Sequence, residues 1–340
     1  MREVQPPAPV APIASVAPSP PTEHHLAPTE NHIAPTEHRL APTGNHIAPT
    51  EHHIAPTTIG LGPTLVRFAR TLISVLVLIS IAGAAWAQFG RGFGGFFRVR
   101  PRFADANTFG HGFNYCRVMY TSNRREAGGQ GWSTDYPDAE RNFSKRLAEL
   151  TKMRVSKDPT GEPNHLVVRL TDPDLYQCPY ISIEDGGTAQ LTDAEVEGLR
   201  SYLLKGGFLW VDDYWGDAAW DQWLHELDRV LPPTEYPLID VTPDHPMFRT
   251  LLDVKKLPQI PSIQFWRGSG GDTSERGEES AVPDFKGIND KRGNLIVLMT
   301  HDTDIADAWE REGEDVRFFY QFSPDGYAVG LNVLLYAMTH

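Results

Sequence analysis

Three short acidic stretches in this sequence have the composition and setting to do chemistry. Asp212 and Asp213 close the apolar run Phe208-Leu209-Trp210-Val211 and lead into Tyr214 and Trp215. Glu184 and Asp185 close the run 179–183, and His301-Asp302-Thr303-Asp304 closes the run 294–300. Carboxylates beside an imidazole suit a divalent cation, or general acid–base work near neutral pH. Adjacent Asp212 and Asp213 would point to opposite faces of a strand, so one of them can face a cleft as general base or metal ligand. Asp212, Asp213 and His301 are therefore the catalytic candidates. The competing role for each acid is to cap a neighbouring helix or loop. Asp302 and Asp304 stand just before 305–309, where capping is expected of at least one of them.

The ligand-binding candidates are Asp135, Tyr136, Glu184, Tyr214, Trp215, His245, Asp302 and Asp304. Tyr214 and Trp215, with Trp132, offer flat faces for stacking on a sugar ring or, alternatively, for packing the rim. His245 precedes Pro246, where it orients a substrate or bonds a loop carbonyl. Ser133 and Thr134 with a distant His do not make a triad, and no G-x-S-x-G elbow occurs. The glycine-rich loop 127–131 lacks the strand-GxxxxGK[ST]-helix order of a phosphate-cradling loop. The sequence leaves the cofactor unknown, with a divalent cation the one such residues could take.

These side chains need elements to position them. Thr192 and Glu195 are spaced as a capping box, and Val196, Leu199, Tyr202 and Leu203 recur at helical spacing. Gly206-Gly207 ends that helix, and the apolar run 208–211 reads as a strand buried on both faces. Further strands are expected at 114–120, 165–170, 179–183 and 294–300. Helices are expected from Pro137 through Phe143, Leu147 and Leu150, over 217–230 with Trp220, Leu224, Leu227 and Val230 inward, and over 328–338. A short turn is expected at 244–248. The polar stretch 268–287 reads as a surface excursion. Strands alternating with helices predict an α/β fold, a three-layer sandwich with a mostly parallel sheet, flavodoxin-like or Rossmann-like. In such sheets ligands bind at the carboxyl ends of the strands.

The 340-residue chain carries a formal charge of -13. Residues 1–87 hold 4 of the 31 Lys+Arg and 5 of the 44 Asp+Glu, so the remainder carries 27 against 39, or -12. That acidic balance argues against nonspecific nucleic-acid binding. Residues 1–64 read as a disordered tail in which Ala-Pro-Thr recurs five times at seven-residue spacing, with His interspersed. A proline in every unit rules out a coiled coil. Metal chelation by the His array competes there with a flexible tail without a specific ligand.

Residues 65–87 hold Arg67 and Arg70, an apolar core 72–81 and Ala85-Trp86-Ala87, the pattern of a secretory signal peptide. Left uncleaved, 71–87 would be a short membrane anchor. Either way the body lies outside the cytoplasm, periplasmic or exported. Residues 88–105 form a Gly/Arg-rich linker and 106–340 the α/β domain. Cys116 and Cys178 are expected as two separately buried thiols, with pairing the alternative.

The body resembles the bacterial domain of unknown function 4159 family. The likeness is carried by 131–137 (GWSTDYP), 203–216 (LLKGGFLWVDDYWG), 244–248 (DHPMF), 294–307, and the ending 330–340. It covers roughly residues 96–340 and implies a domain similar to the class I glutamine amidotransferase fold, in an exported or membrane-anchored setting, with no established activity. Neither cysteine sits in the G-x-C-x-G elbow that an amidotransferase would need. Two functions follow as expectations. One is noncatalytic binding of a cell-envelope partner or small polar ligand at the acidic–aromatic strand edge. The other is a metal-assisted or carboxylate-dependent hydrolase acting on carbohydrate or amide, using Asp212 or Asp213 with His301.

Overall fold

The computed structural model describes residues 100–340 apart from 106, 107 and 111. The tail, the signal or anchor segment and most of the linker lie outside the described residues. Among the described residues no helix is long and apolar enough to cross a membrane.

The elements, in chain order, are β1 (Tyr115–Val118), β2 (Thr121–Ser122), α1 (Asp138–Leu150), β3 (His165–Val168), β4 (Tyr180–Glu184), β5 (Ala189–Gln190), α2 (Asp193–Leu204), β6 (Phe208–Asp212), α3 (Asp217–Val230), β7 (Leu238–Asp240), α4 (Ile263–Ser269), β8 (Asp284–Asn289), β9 (Leu295–His301), α5 (Asp307–Glu310) and α6 (Val316–Ala337). The main sheet has seven strands in the order β3-β1-β4-β6-β9-β8-β7. The first five run parallel, while β8 is antiparallel to both β9 and β7.

The parallel strands are buried along their whole length because helices cover both faces of the sheet. Alternation within β6 shows the division. Phe208 and Trp210 join one apolar layer with Phe143 and Leu147 of α1 and Val329 and Val333 of α6. Leu209 and Val211 join the other, with Leu199 and Leu203 of α2 and Trp223, Leu227 and Val230 of α3. Each such fully buried aliphatic side chain stabilises the fold by roughly 1.5–3 kcal/mol relative to exposure. In α3 the inward stripe is centred on Trp223, with Trp220 and Leu224 only partly buried. Leu150, expected inward, is exposed at the end of α1.

The capping box forms: Thr192 accepts from the Glu195 N–H while the Glu195 carboxylate accepts from the Thr192 N–H. The final helix is longer than its spacing predicts, because Asp315 caps it well upstream, accepting from the Arg317 N–H, and Pro324 is carried inside it. The stretch 268–287 is not only a surface excursion. Its end forms β8, whose Phe285, Gly287 and Ile288 are buried.

The cysteines correct the expectation of separate thiols: Cys116 and Cys178 are joined in a disulfide, with Cα atoms 6.3 Å apart. β3 follows β1 in the chain, but β1 also pairs with β4, and this places Cys178, just before β4, beside Cys116. The bond closes a loop of 62 residues, which in the chain-entropy picture is worth roughly 4 kcal/mol. We expect urea denaturation under reductant, or of Cys178→Ala, to show a loss of about 2–4 kcal/mol. An unchanged midpoint would mean that the thiols are unpaired in solution.

Candidate functional site

β4, β6 and β9 are parallel neighbours in tight register: Glu184 pairs with Asp212, and Val211 with Met299. Their acidic ends therefore emerge along one edge. From β1 the chain runs outward to β3, returns to β4 and continues through β6 to β9. The strand order thus reverses between β1 and β4, the switch point where open α/β sheets hold ligands. A cleft of about 1470 Å³ lies there, walled by the loop from Ser122 to Tyr136 and by the segments after β4, β6 and β9.

The backbone at this edge is strained in a consistent way. Asp135, Asp185, Asp213 and Asp302 have φ of 62°, 53°, 54° and 58°, and they are all of the described non-glycine residues with positive φ. Aspartate tolerates the left-handed region better than most residues, yet each such residue costs of order 1–3 kcal/mol, and such residues cluster at functional sites. In the facing loop, Gly129 lies so close that a Cβ there would sit 2.4 Å from Asp185 Oδ2 and would have to displace that carboxylate.

Five carboxylates converge in the cleft. Oxygens of Asp135, Asp213 and Asp304 lie within 4.8 Å of one another, as do those of Asp135, Asp307 and Glu310. Asp135 is common to both triads. Asp304, Asp307 and Glu310 follow β9 at three-residue spacing. Asp304 Oδ1 accepts from the Asp307 N–H (2.9 Å), so it caps the turn while the same carboxylate joins the cluster. Asp307 Oδ2 accepts from the Ile263 N–H (2.8 Å), and Asp213 Oδ1 from Trp215 Nε1 (3.2 Å). Asp135 Oδ2 is buried and reached by no donor among the described residues. Asp185 is 1% exposed and lines the same cleft. Its Oδ2 accepts from the Gly131 N–H (2.8 Å), and its Oδ1 has no partner among the described residues.

Burial first, and then the neighbouring carboxylates, push these groups toward their protonated forms. Asp213 and Asp304 are held well above the usual carboxylate range. Asp307 is pushed up to about 8 and Glu310 to about 11. Burial also raises Asp135, against the pull of Arg117 and Arg311. So many carboxylates this close cannot all ionise without a compensating cation. The donors are all oxygens, which suits a hard ion such as Mg²⁺, Mn²⁺ or Ca²⁺ rather than one that prefers thiolate or imidazole.

Beneath the cleft lies Arg117 of β1, fully buried. Its Nε donates to Glu140 of α1 (2.6 Å), a second nitrogen lies 3.6 Å from Glu184, and Nη1 donates to the Thr134 carbonyl (2.9 Å). Burial opposes its charge, and Glu140 and Glu184 outweigh that cost. Arg117 thereby anchors the residue that precedes Asp135.

Of the residues singled out from sequence, Asp135, Tyr136, Asp213, Trp215 and Asp304 line the cleft, with Trp132 beside them. Tyr136 is fixed by its hydroxyl, which accepts from the Arg102 N–H (3.2 Å). The others do not meet there. Asp212 is turned into the fold, accepting from Thr300 Oγ1 (2.5 Å) and the Ala306 N–H (3.0 Å). Glu184 serves Arg117. His301 packs at a tilt against both Tyr214 and Trp220 (ring centroids 5.1 Å from each), donating from Nε2 to the Gly216 carbonyl (3.1 Å) with Nδ1 3.3 Å from Asp302. Asp302 accepts from the Gly216 N–H (2.8 Å), so it ties the β9 end to the β6 end. Tyr214 is buried against Trp220.

His245 lies at the other end of the sheet. It caps a short turn by accepting from the Met247 N–H (3.3 Å) and packs on Tyr336, whose hydroxyl accepts from the Leu295 N–H at the amino end of β9. Asp307 and Glu310 are not among the candidates read from sequence, and Asp185 enters there only as part of an acidic strand end. The signal for the first two is the D-x-x-D-x-x-E spacing from Asp304, which puts three acids on one side of a helical turn.

Asp185 also gives the cleft a pH signature. Burial raises its carboxyl to about 7 from 3.8. The folded chain then holds a proton that the unfolded chain releases, so this contribution to stability is full below pH 4 and is lost as pH rises to about 7. We expect Asp185→Asn to remove up to about 1.4 kcal/mol per pH unit of that slope, read from denaturation midpoints across the window. An unchanged slope would refute the assignment.

A family model described as domain of unknown function (DUF4159) matches residues 116–338, which include every cleft carboxylate named above. No curated protein matches the chain.

Proposed function

This chain belongs to the DUF4159 family, and we propose that its domain binds a small polar ligand through divalent cations held at the carboxyl edge of the sheet. The observation that carries this reading is the pair of acid triads sharing Asp135 inside the switch-point cleft. The uncompensated Asp185 Oδ1 in the same cleft adds to it. In finer detail, the fold is a three-layer sandwich similar to class I glutamine amidotransferases, placed outside the cytoplasm by a cleaved or anchoring leader. The disulfide supports that compartment, since such bonds persist in oxidising surroundings. A cell-envelope protein presenting a polar group is the partner class that fits this setting.

Binding rather than turnover is favoured because His301 is engaged by Gly216, Tyr214 and Trp220 and lies outside the cleft that holds Asp213. The Asp213–His301 pair of a hydrolase is not assembled. Calorimetry of the full chain with Mn²⁺, Mg²⁺ and Ca²⁺ tests the reading, beside a panel of glycosidase and amidase substrates. Saturable binding without hydrolysis is expected. No binding of any of the three ions would sink it, and turnover lost in Asp213→Asn with the fold retained would replace it by the hydrolase reading.

A further inference from the structure

We infer that the ligand of this cleft is a phosphate-type oxyanion, bridged to the carboxylates by the cations and met on its other side by arginine. The inference rests on the cation reading above and adds the substrate class. Beside the five clustered acids and Asp185, the cleft is lined by Glu126 and Glu275, eight acidic side chains against five arginines. Fully ionised, that set has an excess of three negative charges, which repels an anion. Two divalent cations reverse the sign, so anion binding becomes conditional on metal.

The arginines are arranged for this. Arg124 and Arg276 are both held by Glu126 at the rim, and Arg311 pairs with Glu310 (2.9 Å). Arg100 and Arg125 line the cleft exposed, and among the described residues neither has a carboxylate partner. A guanidinium presents forked donors that match the oxygens of phosphate, and two cations sharing one carboxylate leave coordination positions that a tetrahedral oxyanion can span. The volume of about 1470 Å³ leaves room for an organic group attached to the phosphate.

The test is calorimetry of the full chain with inorganic phosphate, at saturating Mg²⁺ and again in EDTA, with acetate as the carboxylate probe. Phosphate should bind only with metal, more tightly than acetate, and about tenfold or more weakly in the Arg100→Gln/Arg125→Gln double variant. Mg²⁺ binding without phosphate binding would overturn the inference and leave the cation reading standing. Equal binding of phosphate in EDTA, acetate binding as tightly as phosphate, or an unchanged double variant would each overturn it as well. Failure of Mg²⁺ itself to bind, with Mn²⁺ and Ca²⁺ also silent, would remove both readings.

Discussion

Asp135→Asn should abolish both cation sites at once, whereas Glu310→Gln should remove one and leave the other. Asp135 alone contributes an oxygen to each triad, so the two substitutions differ in stoichiometry and not merely in affinity. The loss should also be visible as stability. Each cation at a hundred times its Kd stabilises the folded chain by about 2.7 kcal/mol, so Asp135→Asn forfeits two such increments and Glu310→Gln one. Without metal the order reverses: the variant should be as stable as the parent or more so, because one of several mutually repelling carboxylates has gone. Thermal melts with and without Mn²⁺, together with calorimetric stoichiometry, check both halves. Retention of two sites in Asp135→Asn would show that the triads do not share this ligand.

Arg117→Met should cost about 3–5 kcal/mol, the penalty for leaving a buried ion group without its partner. Glu140 and Glu184 are both buried and depend on this one guanidinium. The expected loss is therefore that of two stranded carboxylates rather than of a surface ion pair. Adding Glu140→Gln to Arg117→Met should recover part of it, which a cavity effect alone would not do. Urea denaturation of the single and double variants reads this directly. A second consequence separates positioning from packing. The Thr134 carbonyl loses its donor, the Asp135 loop loosens, and Mn²⁺ affinity should fall even in the rescued double variant. Affinity at the parental value there would confine Arg117 to stability.

What is legible in the sequence is local. The capping box at Thr192 and Glu195, the glycine stop at 206–207 and the strand apolar on both faces at 208–211 form as expected. Each is settled by hydrogen bonds and burial within a few residues. The acidic strand ends were legible for the same reason, since a buried parallel strand must surface at its carboxyl end. β8 was hidden because its buried Phe285, Gly287 and Ile288 are set among Asp284, Lys286 and Asn289, and only pairing with β9 makes that pattern a strand.

The sequence by itself determined the layered α/β character, the polarity of the edge and the presence of carboxylates along it. Which carboxylates share a cleft was decided only by tertiary structure. Asp212 turned inward because Thr300 and the Ala306 N–H, both brought by β9, outcompete solvent for its oxygens. Asp135 became the hub because Arg117, through Thr134, fixes its loop over strands far from it in the chain. His245 and Cys178 went to places that no nearby residue announces. Strand order sets such meetings, and strand order is a sum of many long-range contacts, none of which leaves a periodic trace in the chain.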